Sequence, residues 1–481
     1  MLNLRPVAHI MGLLSCCMAA MLCLPALVDL LYDNSDWQHF ALAAGVAGLL
    51  GVLAATATRP DGPLLLDLRQ AFLVTTLGWI VAAMLAALPF AMLGIGVTDA
   101  MFEAMSGITT TGSTVMTGLD NLPPGILLWR AVAQWIGGIG IIAMAILMLP
   151  LLRVGGMQLF RVEFSGRPEE RADRTLKAVF SLFVVYVVLT AICTLAFFAF
   201  GMTAFDAVTH AMSTLSTGGY STHDASFGYF DSYWLYWIAT IFMLAGSLPF
   251  FLYVKTMRGS FFAVWQDFQA RGFIIFIALV SLALALWLMH ERGLGFGAAL
   301  TVTAFNVVSI VSTTGFATED YTAWGTGAMA AFLVLMFLGG CSGSTSGAIK
   351  FYRLQILYQL VRTHIKRLIH PSRVIVVKYD GKPLPPDIPV SILVFLVVFV
   401  ATIAAFTVAL AMMGLDIDTS FSASITAITN VGPGLGTIIG PSGNFEPLPD
   451  AAKWLLCVAM LAGRLEVLTL LIAFDPELWR Y

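Results

Sequence analysis

The stretch ITTTGSTV, residues 108–115, constrains this chain more than any other because it recurs three times in weaker form. The copies are TLSTGGYST (214–222), IVSTTGFAT (310–318) and AITNVGPGLG (427–436). Gly112, Gly218, Gly315 and Gly432 align, with Thr111, Thr217 and Thr314 before the first three and Val431 before the fourth. A recurrence at roughly a hundred residues implies one structural unit used four times. Each copy follows a short apolar run, such as 100–108 or 205–215, that itself follows a much longer one. A spanning helix needs about 20 apolar residues, so a run of roughly 10 to 14 cannot cross a bilayer. Short helix, then Thr/Gly-rich extended backbone, between two full spans, reads as a re-entrant pore hairpin. Non-helical backbone at membrane depth persists only where it is buried in protein or lines a water-filled path. Four such hairpins around one axis present a ring of carbonyl oxygens able to replace a cation's hydration shell.

Composition agrees with that reading. Of 481 residues, 59% are hydrophobic and 11% charged, against about 25% charged in soluble chains. This predicts an all-α polytopic membrane protein. Its expected layout is an N-terminal pair of spans (1–65) and four span–hairpin–span units (66–165, 166–265, 266–375 and 376–481). The six cysteines sit in apolar runs without a CxxC pair and read as core thiols. The N-terminal apolar run, 10–31, is too long for a signal peptide and reads as a retained first span.

Lys and Arg placement gives the topology. Arg153, Arg161, Arg167, Arg171, Arg174 and Lys177 fill one inter-unit loop, and Lys255, Arg258 and Arg271 the next. A third loop, 350–382, is the most basic; either long basic stretch is as suited to a cytosolic regulator as to anionic lipid. The hairpin side carries Asp99, Glu103, Asp120, Asp206, Asp224 and further acids, with only Arg130, Arg292 and Lys453 at its span edges. The hairpins are therefore expected outside, with an acidic mouth that concentrates cations. Asp99 and Asp206, near the starts of two short helices, read first as helix caps.

Two further features stand out. GGCSGSTSG, 339–347, interrupts the second span of the third unit, since each Gly costs a helix about 1 kcal/mol relative to Ala. Gly339, Gly340, Gly343 and Gly347 would thus form an unwound gating loop under the filter. Arg464 falls near the middle of an apolar run spanning 451–474, where a charge costs about 2.5–3.5 kcal/mol. We expect it to face the pore below the filter, with Glu466 badly placed to pair with it two residues on. His210 and Cys341 lack partner ligands nearby in sequence, so no metal site of the usual side-chain kind is expected. No phosphate-binding or nucleophile-elbow motif is present.

These residues resemble the Trk/Ktr/HKT superfamily of potassium transporters. The four hairpin copies, the glycine-rich break and the arginine in AGRLEVLTLL carry the resemblance. The extra N-terminal pair and the length are similar to its bacterial TrkH branch. The resemblance implies a potassium-selective filter at Thr110, Thr111, Gly112, Thr217, Gly218, Thr313, Thr314, Gly315, Asn430, Val431 and Gly432, with potassium held by backbone carbonyls. Relatives with serine at the first filter position pass sodium, so Gly112 favours potassium. It also implies a bacterial inner-membrane homodimer regulated by a cytosolic TrkA-like nucleotide-binding subunit, with no organic cofactor and no nucleic acid. The alternatives are an alternating-access potassium symporter coupled to protons or sodium and, from the enzyme class, an intramembrane hydrolase built on His210, Ser342 and Ser344.

Overall fold

The computed structural model describes residues 3–60, 62, 66–148, 168–372, 375–476 and 479. Two helices, α1 (Arg5–Leu31) and α2 (Trp37–Ala57), open the chain as a tightly packed hairpin. Then a pattern repeats. A long helix, α3 (Leu68–Met92), leads into the short α4 (Val97–Ile108), a non-helical strap and α5 (Pro124–Met148). The second pass runs α6 (Pro168–Ala199), α7 (Ala204–Leu215), a strap, α8 (Tyr233–Ser247) and α9 (Phe250–Met257). After the single turn α10 (Ala263–Gln266), the third runs α11 (Phe268–Arg292), α12 (Phe296–Val311), a strap, α13 (Thr326–Leu335) and α14 (Phe351–Ile369). The fourth runs α15 (Asp387–Met412), α16 (Ile417–Thr429), a strap, α17 (Asp450–Arg464) and α18 (Val467–Phe474).

Local sequence sets these boundaries. The turn from each long helix to its short one carries a glycine at positive φ: Gly94, Gly201, Gly293 and Gly414. Glycine occupies that region without steric cost, so the chain reverses within a few residues. The carboxylate of Asp67 accepts from Gln70 N while the Gln70 side chain accepts from Asp67 N, a capping box that starts α3. Asp267 and Asp416 cap α11 and α16. The four short helices are buried against their own unit, and three of them also pack across a unit boundary. α7 packs on α5, α12 on α8, and α4 on α17, which joins the first unit to the last. Asp29, fully buried on α1, accepts from Gly125 N at 2.7 Å, so it satisfies a free N–H at the start of α5 and docks the N-terminal hairpin there.

Among the described residues seven helices are long and apolar enough to cross a membrane, and α8 with α9, bent by 97°, would count as an eighth span. The sequence had suggested unbroken second spans in the second and fourth units. Both are broken. Ser247-Leu248-Pro249 turns the chain between α8 and α9, because Pro249 can donate no backbone hydrogen bond. α17 stops at Arg464, and Glu466 takes φ +54°. Its carboxylate meets fully buried Arg353 of α14 at 2.7 Å, a pairing that offsets the roughly 1–2 kcal/mol of left-handed backbone. Arg464 is therefore at a helix end, with α18 resuming after two residues, and not inside a continuous helix. Asp99 also departs from expectation: Gly96 occupies the N-cap of α4, and Asp99 pairs with Lys453 at 2.6 Å. At α7 the cap is Thr203, whose hydroxyl donates in return to Asp206. All six cysteines are free, but Cys17 and Cys23 are exposed on α1 instead of lying in the core. Arg153, Arg161, Arg167 and Arg373 lie outside the described residues.

Candidate ion pathway

Each short helix ends in the same backbone sequence of events. One residue past the helix C-cap, or at it in the fourth copy, a non-glycine residue takes left-handed φ: Thr110 (51°), Thr217 (52°), Thr313 (60°) and Asn430 (55°). Two residues later a glycine has φ +87°, +80°, +83° or +106°: Gly112, Gly219, Gly315 and Gly432. This corrects the sequence alignment by one place in the second copy. Gly219, and not Gly218, matches the other three glycines, and Gly218 matches Thr111, Thr314 and Val431. Two adjacent glycines made either frame admissible on sequence alone.

In that frame the four straps close into a ring. A Cβ added to Gly112 would overlap the carbonyl oxygen of Gly218, and one on Gly219 that of Thr314. One on Gly315 would overlap the carbonyl of Val431, and one on Gly432 that of Thr111. Every overlap is closer than 3.0 Å, which no real Cβ tolerates. The relation steps once round the four copies and returns to its start, so the straps meet about a common axis. All four glycines line one cavity, with His223, Asp224 and Pro441 further out.

Side chains behind the straps hold them in place. Ser113 Oγ donates to Gly432 O at 2.8 Å, and Asn430 Nδ2 donates to Thr111 Oγ1 at 2.9 Å. Gln134 of α5 donates to Gly218 O at 2.6 Å and accepts from Tyr220 N at 3.0 Å. Beneath them lies a buried ion pair, Glu103 with Arg130 at 2.8 Å, which are 0% and 2% exposed. The same carboxylate accepts from Val115 N and Thr114 Oγ1, and Arg130 donates to Ser221 O. Glu103 is thus no mouth residue but a brace, and the reading of an acidic mouth weakens further out. Asp99 meets Lys453, Glu319 lies 3.9 Å from Arg292, and Asp120 accepts from His223 at 2.5 Å. The hydrogen bond from His223 holds the Asp120 carboxyl below its ordinary range. Burial alone would raise Asp206, but His223, Thr222 and Thr203 outweigh it and hold it low.

On the opposite side of the ring lies the glycine-rich segment 339–347. A short parallel pairing, β1 (Leu338–Gly339) with β2 (Ile349–Lys350), pinches its two ends together. Its far limb touches three of the four straps. Thr345 Oγ1 lies 3.2 Å from Thr217 Oγ1, Gly347 N donates to Thr313 Oγ1 at 2.7 Å, and Ala348 N donates to Thr429 O at 2.9 Å. Its near limb joins the α8–α9 break, where Cys341 N donates to Ser247 O and Phe250 N to Gly343 O. Arg464 is 4% exposed, and its Nε and Nη2 have no hydrogen-bond partner among the described residues. Trp79 lies under its guanidinium at 6.0 Å. His210 is buried, donating to Asp206 O at 2.9 Å with its other nitrogen 3.0 Å from Ser221 Oγ. Among the described residues no group of three or more metal-ligating side chains occurs. The sequence reading passed over Gln134 and Thr345 and placed Glu103 at the mouth, though a glutamine inside an apolar helix is itself a signal.

Comparison with known proteins accords with this geometry. The family model described as TrkH, cation transport protein, matches residues 46–481. The Trk system potassium uptake protein TrkI of Halomonas elongata is 43% identical, over 99% of this chain and 97% of its own. The Trk system potassium uptake protein TrkH of Escherichia coli K12 is 36% identical over the full length of both. The crystal structure of the potassium transporter TrkH from Vibrio parahaemolyticus superposes with a TM-score of 0.92 at 35% identity, covering both chains entirely. The chain belongs to the TrkH family of cation transport proteins.

Proposed function

We propose that this chain is a potassium-selective uptake pore of the bacterial inner membrane. The observation that carries the reading is the closed ring, in which each strap glycine packs against the carbonyl of the next strap. Thr110, Thr111, Gly112, Thr217, Gly218, Gly219, Thr313, Thr314, Gly315, Asn430, Val431 and Gly432 form the filter, and their backbone oxygens replace water around the ion. The short helices direct their partly negative C-terminal ends at the ring, which favours a cation there. Potassium is the ion because the full-length relatives are named for its uptake. The four passes are the repeat units 66–165, 166–265, 266–375 and 376–481, with hairpins outward and basic loops cytoplasmic.

The segment holding Gly339, Gly340, Gly343 and Gly347 is the gate, and Arg464 is a fixed positive charge beside it. Hydrogen bonds from that segment to the strap bases support a closed position. Relatives named as parts of a Trk system support control by a cytosolic nucleotide-binding subunit, and two copies of the chain assemble with one pore each. Reconstituted Gly112→Ser should discriminate less well between potassium and sodium; an unchanged permeability ratio would overturn the filter assignment. Varying the proton gradient at clamped voltage separates a pore, whose flux is indifferent to it, from a proton-coupled carrier.

A further inference from the structure

We infer that Gln134 is a positioning residue that sets ion specificity at one quarter of the ring, an inference that rests on the filter reading above. Its side chain is fully buried and brackets Gly219, donating to the carbonyl before that residue and accepting from the N–H after it. The bracket exists because Gly218 has no side chain. A Cβ at Gly218 would run into the Gln134 amide. At the matching place the other straps carry Thr111, Thr314 and Val431; the two threonine hydroxyls bond to Thr109 and Ser312 of their own copies, and that of Thr111 also accepts from Asn430. So the glutamine occupies the slot that a strap's own side chain fills elsewhere.

The chemical consequence is an inequality among four oxygens. The carbonyl of Gly218 receives an N–H at 2.6 Å. The carbonyls of Thr111, Thr314 and Val431 receive no hydrogen bond from any described residue. A carbonyl that already accepts a hydrogen bond presents a weaker field with its remaining lone pair. Weaker field favours the ion that is easier to dehydrate, which is potassium over sodium. The Gly218 quarter is therefore the weak-field corner of the ring, and Gln134 makes it so.

The test uses the full-length chain in vesicles, reading potassium, rubidium and sodium flux under an imposed voltage. Gln134→Leu removes both hydrogen bonds, while Gln134→Glu keeps an acceptor for Tyr220 N and removes the donor. Both should raise the sodium-to-potassium permeability ratio about fivefold, the weight of one ordinary hydrogen bond. Gln134→Ala combined with Gly218→Thr rebuilds the arrangement of the other straps; it should conduct with the ratio still raised. Unchanged ratios, or an equal fall in flux for all three ions, would overturn the inference, because a purely structural role scales every ion alike. A Gln134→Glu chain that does not assemble assigns the residue to folding and overturns it too. The wild-type chain in the same vesicles tests the filter reading separately: if it passes no potassium, that reading fails first.

Discussion

Consider the substitution Arg130→Met. It leaves Glu103 charged and 0% exposed, with bonds to Thr114 Oγ1 and Val115 N but without its 2.8 Å cation. It also frees Ser221 O, which Arg130 holds from the second strap. Removing one member of a buried pair costs about 3–5 kcal/mol, chiefly because the remaining charge stays desolvated. Out of a typical total of about 5–15 kcal/mol, that is a severe loss. Replacing both members by apolar groups removes the stranded charge. Glu103→Leu with Arg130→Met should therefore recover most of the loss, leaving the cost of the unsatisfied Val115 N–H and Ser221 O. Unfolding of the two single variants and the double variant in mixed detergent micelles gives the coupling energy by a double-mutant cycle. A coupling of at least about 2 kcal/mol is expected. Additive single effects, or a cost for Arg130→Met below about 1 kcal/mol, would refute the brace.

Three shorter predictions use other parts of the molecule. Gly219→Ala should impair transport more severely than Gly218→Ala, since the first meets the Thr314 backbone at positive φ and the second meets a side chain able to shift; equal severity in flux assays would contradict the corrected register. Gly347→Ala presses on Thr429 O and Asn430 and should lift the loop from the straps, raising basal flux, as should Arg464→Ala; unaltered leak in both would place the gate elsewhere. Burial pulls His223 down, but Asp206 and Asp120 outweigh it and leave it above its ordinary 6.5. Its contribution is thus complete below pH 6.5 and fades as pH rises through the higher folded value. Asp120, held below 3.8 chiefly by the His223 hydrogen bond, contributes above that value and loses it on acidification. The loop tie between them should be strongest from pH 3.8 to 6.5, and His223→Gln should flatten the pH dependence of thermal stability across neutrality.

Much of this was written in the sequence, and the omissions have physical causes. Glycine recurrence at fixed intervals exposed the straps because positive φ at a crowded axis leaves no other residue type a place there. The frame of the second strap was hidden because Gly218 and Gly219 satisfy the same rule for different reasons, one for φ and one for Gln134. Pro249 marks the break between α8 and α9, a signal that the expectation of an unbroken span passed over. The break after Arg464 has only Gly463 beside it, a glycine demanded by the close approach of Ile428 O and not by a positive φ. The cause of this break is Arg353, 113 residues away from Glu466 along the chain. Pairings of that kind are settled only when the units pack, as are the partners of Glu103 and of Asp99.

One polypeptide supplies every corner of the central opening. In an assembly of identical subunits, any substitution at such a place is copied to all corners at once, and most are ruinous. Here a single codon alters one corner and leaves three untouched, so ion preference can drift in small steps. Gly218 beside Gln134, and proline following Gly432, are two places where the four corners already differ.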